Sequence, residues 1–200
     1  VLGKKTGNET DIVNNLRARK EKVFSETQPD KEIRIKKEQK DLDIKYLKDP
    51  KLNDQLNVLK KIDKSFDLDE FLSGAKSAFE YIINTYVKDN ETELEKFLSK
   101  KILNIYKKEI LLRKKKKQKL QIEIIEIKEP VIKSVKVSSN DIATISLEYS
   151  SQQIQVTRDI DEKLIDGDPN QILDIKEVWV FSRKLRGKSP IWILEEILDA

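Results

Sequence analysis

The sequence FDLDEFLSGAKSAFEYIINTY, residues Phe66–Tyr86, decides the fold. Its apolar residues recur at the three- and four-residue spacing of one helical face, which predicts an amphipathic α-helix about five turns long. Asp67 precedes that face and Glu70 follows three residues later, an arrangement that caps a helix N-terminus. Such a face has to be buried against another element. The residues that form it are Leu68, Phe71, Leu72, Ala75, Phe79, Ile82, Ile83 and Tyr86.

The segments on either side of this helix predict an α+β fold. Asp49 followed by Pro50 is typical of a helix start, and two further short helices are expected at 91–98 and 100–113. Beyond Leu120 the apolar period changes to two, which is typical of strands, and strands do not alternate with helices there. We therefore expect N-terminal helices packed on a curved antiparallel sheet.

The C-terminal half predicts a series of strands. The apolar alternation changes phase at Ile125, which is typical of a β-bulge. A short polar turn is expected at 150–153, and 164–172 is expected to be a loop because it contains Asp-Gly and Pro-Asn. The predicted strands are 120–127, 131–137, 142–149, 154–158, 175–184 and 190–197.

The composition argues against several kinds of active site. The 200 residues include no Cys and no His, so thiolate metal sites are excluded and the commonest general base is missing. No glycine loop joins a strand to a helix, which argues against a P-loop or Rossmann nucleotide site. We therefore expect a binding domain rather than an enzyme, with no cofactor and no metal.

The excess positive charge lies near the N-terminus. Residues 1–48 contain 13 Lys or Arg and 9 Asp or Glu, whereas the rest of the chain has equal numbers of both. We expect 1–45 to be a basic, flexible arm ahead of a domain at 46–200. The arm would contact an anionic surface such as lipid headgroups, or would simply be a solubilising leader.

The densest basic run is Arg113–Lys119, at the end of a predicted helix. It is interpreted as a solvated helix end, a contact with anionic lipid, or a contact with RNA. No aromatic residue interrupts it, which argues against single-stranded nucleic acid. The candidate residues for contact with an anionic surface are Lys4, Lys5, Arg17, Arg19, Lys20, Lys114, Lys115, Lys116 and Lys117.

Aromatic residues in the last strands suggest an apolar pocket. Trp179, Phe181 and Trp192 would either belong to the core or line a concave pocket for a lipid tail or an apolar peptide. Gly74 lies in the middle of the long helix, where it costs about 1 kcal/mol relative to Ala. Because something should offset that cost, we expect either close packing or a cavity beside Gly74. The candidate pocket-lining residues are Phe71, Ala75, Phe79, Ile83, Tyr86, Trp179, Phe181 and Trp192.

Four motifs in this order and spacing resemble the Tim44-like domain family. The resemblance covers about residues 59–198 and implies a cone-shaped, nuclear-transport-factor-two-like α+β domain with a large apolar pocket and no catalysis. The family includes a mitochondrial import-motor adaptor, a ribosome-docking relative and a membrane-anchored α-proteobacterial branch. The motifs are FxxxxFLxGAxxAFxxI at 66–82, LxxFLS at 94–99, EVWVFxR at 177–183 and PxWxLxxI at 190–197.

The resemblance also implies a location and partners. VLGKKTGNE at 1–9 is similar to the juxtamembrane stretch of the bacterial branch, which implies a membrane helix just upstream of Val1. Lys4 and Lys5 would then place the domain on the cytoplasmic side of a bacterial inner membrane; the matrix side of the mitochondrial inner membrane is the alternative. The implied partners are anionic lipid, an apolar polypeptide or acyl chain, and an Hsp70-type chaperone or translocase.

The leading expectation is a non-enzymatic, membrane-associated adaptor in protein translocation or membrane-complex assembly. A ribosome-docking membrane-insertion factor is the alternative, and nucleic acid is expected as a partner only through the ribosome. A small isomerase or dehydratase is the third hypothesis, because cone-shaped folds of this type also host such enzymes. It would require a buried Asp or Glu with a raised pKa deep in the pocket.

Overall fold

The structure, a computed structural model, describes residues 49–200. The predicted arm at 1–45 lies outside these residues, as do its candidate contact residues Lys4, Lys5, Arg17, Arg19 and Lys20. The helices are α1 (Pro50–Ile62), α2 (Leu68–Val87), α3 (Glu91–Leu94) and α4 (Lys100–Lys115). The strands are β1 (Lys119–Ile127), β2 (Val131–Val137), β3 (Ile142–Arg158), β4 (Leu164–Gly167), β5 (Leu173–Lys184) and β6 (Ile193–Asp199).

Capping aspartates begin the first two helices, as the sequence predicts. The side chain of Asp49 accepts hydrogen bonds from the backbone N–H groups of Lys51 and Leu52, at 3.0 and 3.2 Å. Asp67 accepts a 2.8 Å bond from the N–H of Glu70. Each cap satisfies backbone donors that have no partner inside the helix. Both predicted helix starts are confirmed.

The sheet is built around β3. Its order is β1-β3-β5-β6, and β2 and β4 also pair with β3. Every pairing between the strands of residues 49–200 is antiparallel. The predicted α+β class is confirmed, and the arrangement is consistent with a nuclear-transport-factor-two-like fold.

β3 is one continuous strand where the sequence predicts two strands and a turn. The polar residues Ser151 and Gln153 lie on its buried face. The amide of Gln153 donates a 2.8 Å hydrogen bond to the Ser151 hydroxyl, and the Gln155 amide donates a 2.9 Å bond to the Gln153 side-chain oxygen. Because these polar groups satisfy one another, they can be buried in a strand. The predicted turn at 150–153 is therefore wrong.

The pairings of β3 with β1 and with β4 each contain a register shift. The predicted bulge is confirmed, since the register between β1 and β3 shifts between Ile124 and Glu126. The predicted loop at 164–172 is wrong at its start, because Leu164–Gly167 forms β4 and pairs with the end of β3. Gly167 has a φ of 84° and lies against the backbone of Gln155.

The third predicted helix is shorter than expected. It ends at Leu94 instead of residue 98. The chain then turns towards β6, where the N–H of Leu194 donates to the carbonyl of Phe97 and the N–H of Ser99 donates to the carbonyl of Leu194. These bonds, at 2.8 and 2.9 Å, attach the segment before α4 to the start of the edge strand β6.

Three aromatic rings fill the space between α2 and the centre of the sheet. Phe79 of α2 stacks on Tyr149 of β3 at a centroid distance of 4.6 Å and packs against Trp179 of β5, with tilted rings, at 4.7 Å. All three side chains are almost completely buried. Packing is therefore solid at this level, and open space between helix and sheet can lie only towards the ends of α2. No helix within residues 49–200 combines the length and the apolar character needed to cross a bilayer.

Candidate binding cavity

A cavity of about 520 Å³ lies beside the first half of α2. The segment that leads into α2, Phe97, β5 and the loop between β5 and β6 complete its wall. Its volume falls within the range of ligand pockets, roughly 300–1,000 Å³. The apolar residues that line it are Phe66, Phe71, Gly74, Ala75, Ala78, Phe97, Phe181, Pro190, Ile191 and Trp192.

Packed aromatic rings shape one side of the cavity. The Trp192 ring lies 4.8 Å from Phe71 and 6.2 Å from Phe66, measured between centroids. Phe66 and Phe71 are 5.7 Å apart. Tilted and edge-on ring pairs at such distances contribute attraction beyond their buried area. This wall therefore holds its shape and offers rigid aromatic surface to a ligand.

Arg183 provides the polar corner of the cavity. Its guanidinium carbon lies 4.9 Å from the centre of the Trp192 ring and its NH2 group pairs with the Asp63 carboxylate. The side chains of Arg183 and Asp63 are only 13% and 12% exposed. Among residues 49–200, the buried Nε–H of Arg183 has no hydrogen-bond partner. The Nε–H is therefore a buried, unpaired donor on a residue that lines the cavity.

Asp63 is held in its charged form. The Ser65 hydroxyl donates a 2.6 Å hydrogen bond to its carboxylate, and this bond is the main reason why the pKa of Asp63 lies below its usual value. Burial acts against the shift, while the backbone N–H of Ser65 and Arg183 add to it. The Asp63 carboxylate therefore compensates the positive charge of Arg183.

The remaining charged groups of the cavity wall are acidic. Asp67 and Glu70 line the cavity near the start of α2. Arg183 is paired with Asp63, whereas neither Asp67 nor Glu70 has an ion-pair partner within residues 49–200. The cavity therefore suits a neutral or cationic ligand better than an anionic one.

Gly74 lines the cavity in the first half of α2. A Cβ atom built on this residue would have no neighbouring atom within 4 Å. Of the two interpretations of this mid-helix glycine, close packing is therefore wrong and a neighbouring cavity is correct. The missing side chain leaves part of the α2 surface open to the cavity.

The structure brings four of the sequence-predicted pocket residues together in this wall. They are Phe71 and Ala75 on α2, Phe181 on β5 and Trp192 just before β6. Arg183, which the sequence reasoning missed, follows Phe181 at the two-residue spacing of one strand face. Residues 177, 179, 181 and 183 of the EVWVFSR motif share that face, so the alternation could have revealed it.

The other four predicted pocket residues lie outside this wall. Phe79 and Trp179 are packed in the aromatic core. Ile83 is buried one turn further along α2. Tyr86 lies near the end of the helix, where its hydroxyl accepts a 2.6 Å hydrogen bond from Arg113. Phe79, Ile83 and Tyr86 share the helical face of Phe71, but the cavity spans only the first half of α2.

The basic run lies where α4 ends. Lys114 and Lys115 are the last residues of α4, and Lys116 and Lys117 follow in the turn before β1. All four are exposed. The ammonium group of Lys114 is 3.7 Å from the Glu91 carboxylate. These four lysines are therefore accessible to solvent.

The structure is an α+β domain with a cavity beside α2. Residues 52–199 match the family model described as "Tim44-like domain", so the chain belongs to the Tim44-like family. The resemblance carried by the four motifs is confirmed. A solved structure titled "Crystal structure of intermembrane space region of chloroplast protein ARC6" matches with 14% identity and a TM-score of 0.40, over 62% of this chain and 96% of that one. No curated protein matches the chain.

Proposed function

We propose that this protein is a non-enzymatic, membrane-associated adaptor whose cavity binds an apolar segment of a polypeptide. Family membership supports a role related to translocation at a membrane. The observation that carries the proposal is an aromatic cavity with carboxylates in its wall. Rigid aromatic surface gives an apolar side chain a large contact area at little conformational cost.

The charge of the cavity favours a polypeptide over an acyl chain. A fatty acid or phospholipid carries an anionic group, which Asp67 and Glu70 would repel. A peptide has no such obligatory charge, and a Lys or Arg beside its apolar anchor would be attracted by these carboxylates.

The absence of catalysis is part of the proposal. The chain has no His and no Cys. Burial raises the pKa of the Glu177 carboxyl, but Glu177 lies six residues before Arg183 on the same strand. At about 3.3 Å per residue the two are roughly 20 Å apart. A general acid or base at Glu177 would therefore not reach a ligand held by Arg183.

We place the protein at a bacterial inner membrane with this domain on the cytoplasmic side, or alternatively on the matrix side of the mitochondrial inner membrane. The similarity of residues 1–9 to a juxtamembrane stretch supports this location. A translocase or an Hsp70-type chaperone is the proposed neighbour, and a ribosome-docking role is the alternative. Capture of the chain from native membranes, followed by mass spectrometry, distinguishes a translocase or chaperone from ribosomal proteins.

Binding to the cavity is tested with two substitutions at one position. Gly74→Leu places an apolar side chain into open space beside α2, and Gly74→Ala is the control because its single methyl group meets nothing within 4 Å. Fluorescence anisotropy of a labelled peptide of Leu, Phe and Lys residues measures the affinity. We expect Gly74→Leu to weaken peptide binding at least about tenfold and Gly74→Ala to change the affinity less than about threefold.

Two further probes separate the possible ligands. A peptide with Glu in place of Lys should bind more weakly, and a labelled long-chain fatty acid should not displace either peptide. Binding of the fatty acid in preference to the peptides would overturn the polypeptide proposal. Equal peptide affinity of the Gly74→Leu variant and the wild type would show that this cavity is not the binding site.

A further inference from the structure

The outer face of α4 carries three lysines in one line. Lys101, Lys108 and Lys115 are seven residues apart, and all three are exposed. Because seven residues are almost two helical turns, side chains at this spacing lie nearly above one another along a helix. The line runs over most of α4, which is about 24 Å long at 1.5 Å per residue.

Apolar side chains lie on both sides of this lysine line. Ile105 and Leu112 lie on one side and Leu111 on the other, and they are 48%, 48% and 52% exposed. The opposite face of α4 already supplies the buried residues Ile102, Leu103 and Ile110. The outer apolar residues are therefore not needed to attach the helix to the domain. We call Lys101, Ile105, Lys108, Leu111, Leu112 and Lys115 together the lysine face.

Much of the positive charge on this helix is not compensated. Residues 100–119 contain ten Lys or Arg and a single acidic residue, Glu109. Lys101 pairs with Glu196 at 2.8 Å. Lys108 and Lys115 have no ion-pair partner within residues 49–200. The lysine face thus combines free cations with half-exposed apolar side chains.

We propose that the lysine face docks on an anionic lipid bilayer. The lysine ammonium groups contact headgroup phosphates, while Ile105, Leu111 and Leu112 enter the boundary between headgroups and acyl chains. A nucleic-acid backbone offers nothing to these apolar residues, and the face has no aromatic side chain on which bases could stack. The inference specifies the surface behind the proposed membrane association and does not depend on the cavity.

The test uses the full 200-residue chain and two matched pairs of substitutions. Lys108→Gln with Lys115→Gln removes two charges from the lysine face. The control, Lys136→Gln with Lys176→Gln, removes two charges from exposed positions of β2 and β5. Glutamine keeps the helix-forming tendency of lysine, so the helical variant should fold, and circular dichroism verifies this.

Co-sedimentation with vesicles of phosphatidylcholine and phosphatidylglycerol measures the partition coefficient. A lysine near an anionic surface contributes about fivefold to binding, so the lysine-face variant should bind about 30-fold more weakly. The control should change binding less than about threefold. Ile105→Gln with Leu112→Gln should weaken binding roughly fivefold without changing the charge.

Three results would overturn the inference. The first is an equal loss of binding in the lysine-face and control variants, which would mean that only net charge matters. The second is equal binding to vesicles of phosphatidylcholine alone. The third is binding to an RNA duplex but not to anionic vesicles. None of these results alters peptide binding at the cavity, so the inference can fail while the proposed ligand site stands.

Discussion

The hydroxyl of Tyr149 in β3 donates a 2.9 Å hydrogen bond to the backbone carbonyl of Ala75 in α2. The same Tyr149 ring stacks on Phe79, one helical turn after Ala75. Ala75 also lines the cavity. A polar and an apolar contact from one side chain therefore fix α2 against the sheet at the inner end of the cavity.

Removal of that hydroxyl should destabilise the domain. Tyr149→Phe keeps the ring and loses a buried hydrogen bond, so the free energy of unfolding should fall by about 1 kcal/mol. The control is Tyr81→Phe, which removes the hydroxyl of a 45% exposed tyrosine bonded to Glu93 and should cost less than about 0.5 kcal/mol. Urea denaturation measures both values. A larger loss for the Tyr81 variant would contradict the importance of the Tyr149–Ala75 bond.

Two tyrosines, the buried Tyr149 and the partly buried Tyr106, should make the fold sensitive to alkali. Burial raises the pKa of Tyr149 and of Tyr106 well above the usual value of 10.0. Above that pH the unfolded chain releases phenolic protons that the folded domain retains, so stability falls as the pH rises. Each such tyrosine contributes up to about 1.4 kcal/mol per pH unit.

The measurement is thermal unfolding between about pH 8.5 and 11, the range in which an exposed tyrosine begins to ionise. The melting temperature should decrease above about pH 10, and less steeply in Tyr149→Phe than in the wild type. Parallel curves for the two proteins would show that Tyr149 ionises as easily in the folded state as in the unfolded one.

Local signals in the sequence predicted local structure well. The caps at Asp49 and Asp67 and the bulge after Ile124 follow from residues close together in the chain. The continuity of β3 could not be predicted in this way. The burial of Ser151 and Gln153 depends on hydrogen bonds between side chains that only the folded sheet aligns. A polar run in a sequence is typical of a turn, and its burial in a strand cannot be predicted without knowing its hydrogen-bond partners.

The candidate site was predicted in part for a similar reason. The helical face of α2 correctly included Phe71 and Ala75, but periodicity alone cannot show where along a helix the packing stops. The Arg183–Asp63 pair joins residues 120 positions apart. Nothing near either residue in the sequence indicates the other, so the polar corner of the cavity required the three-dimensional structure.

Two glycine substitutions should have opposite effects on stability. Gly167 has a φ of 84°, and a Cβ there would collide with the carbonyl oxygen of Gln155, so Gly167→Ala should destabilise the domain by at least about 2 kcal/mol. Gly74 is helical and faces open space, so Gly74→Ala should stabilise it by up to about 1 kcal/mol. Chemical denaturation of the two variants is the test. A stabilised Gly167→Ala protein would contradict the pairing of β4 with β3.

Glu177→Gln should stabilise the domain near neutral pH. Burial raises the pKa of Glu177, although the Trp179 indole donates a 3.1 Å hydrogen bond to its carboxylate. A raised pKa means that ionisation is less favourable in the folded state, so stability is lost as the pH rises through and above 4.5. Glutamine does not ionise and keeps an oxygen that accepts from Trp179.

The effect of that substitution should depend on pH. At pH 7 the variant should be more stable than the wild type, whereas near pH 3, where the wild-type carboxyl is protonated, the two proteins should be similar. Urea denaturation at both pH values measures the difference. Glu123→Gln, at an exposed position of β1, is the control and should change stability by less than about 0.5 kcal/mol. If Glu177→Gln destabilised the protein at pH 7, the Glu177 carboxylate would have to make a favourable interaction in the folded state.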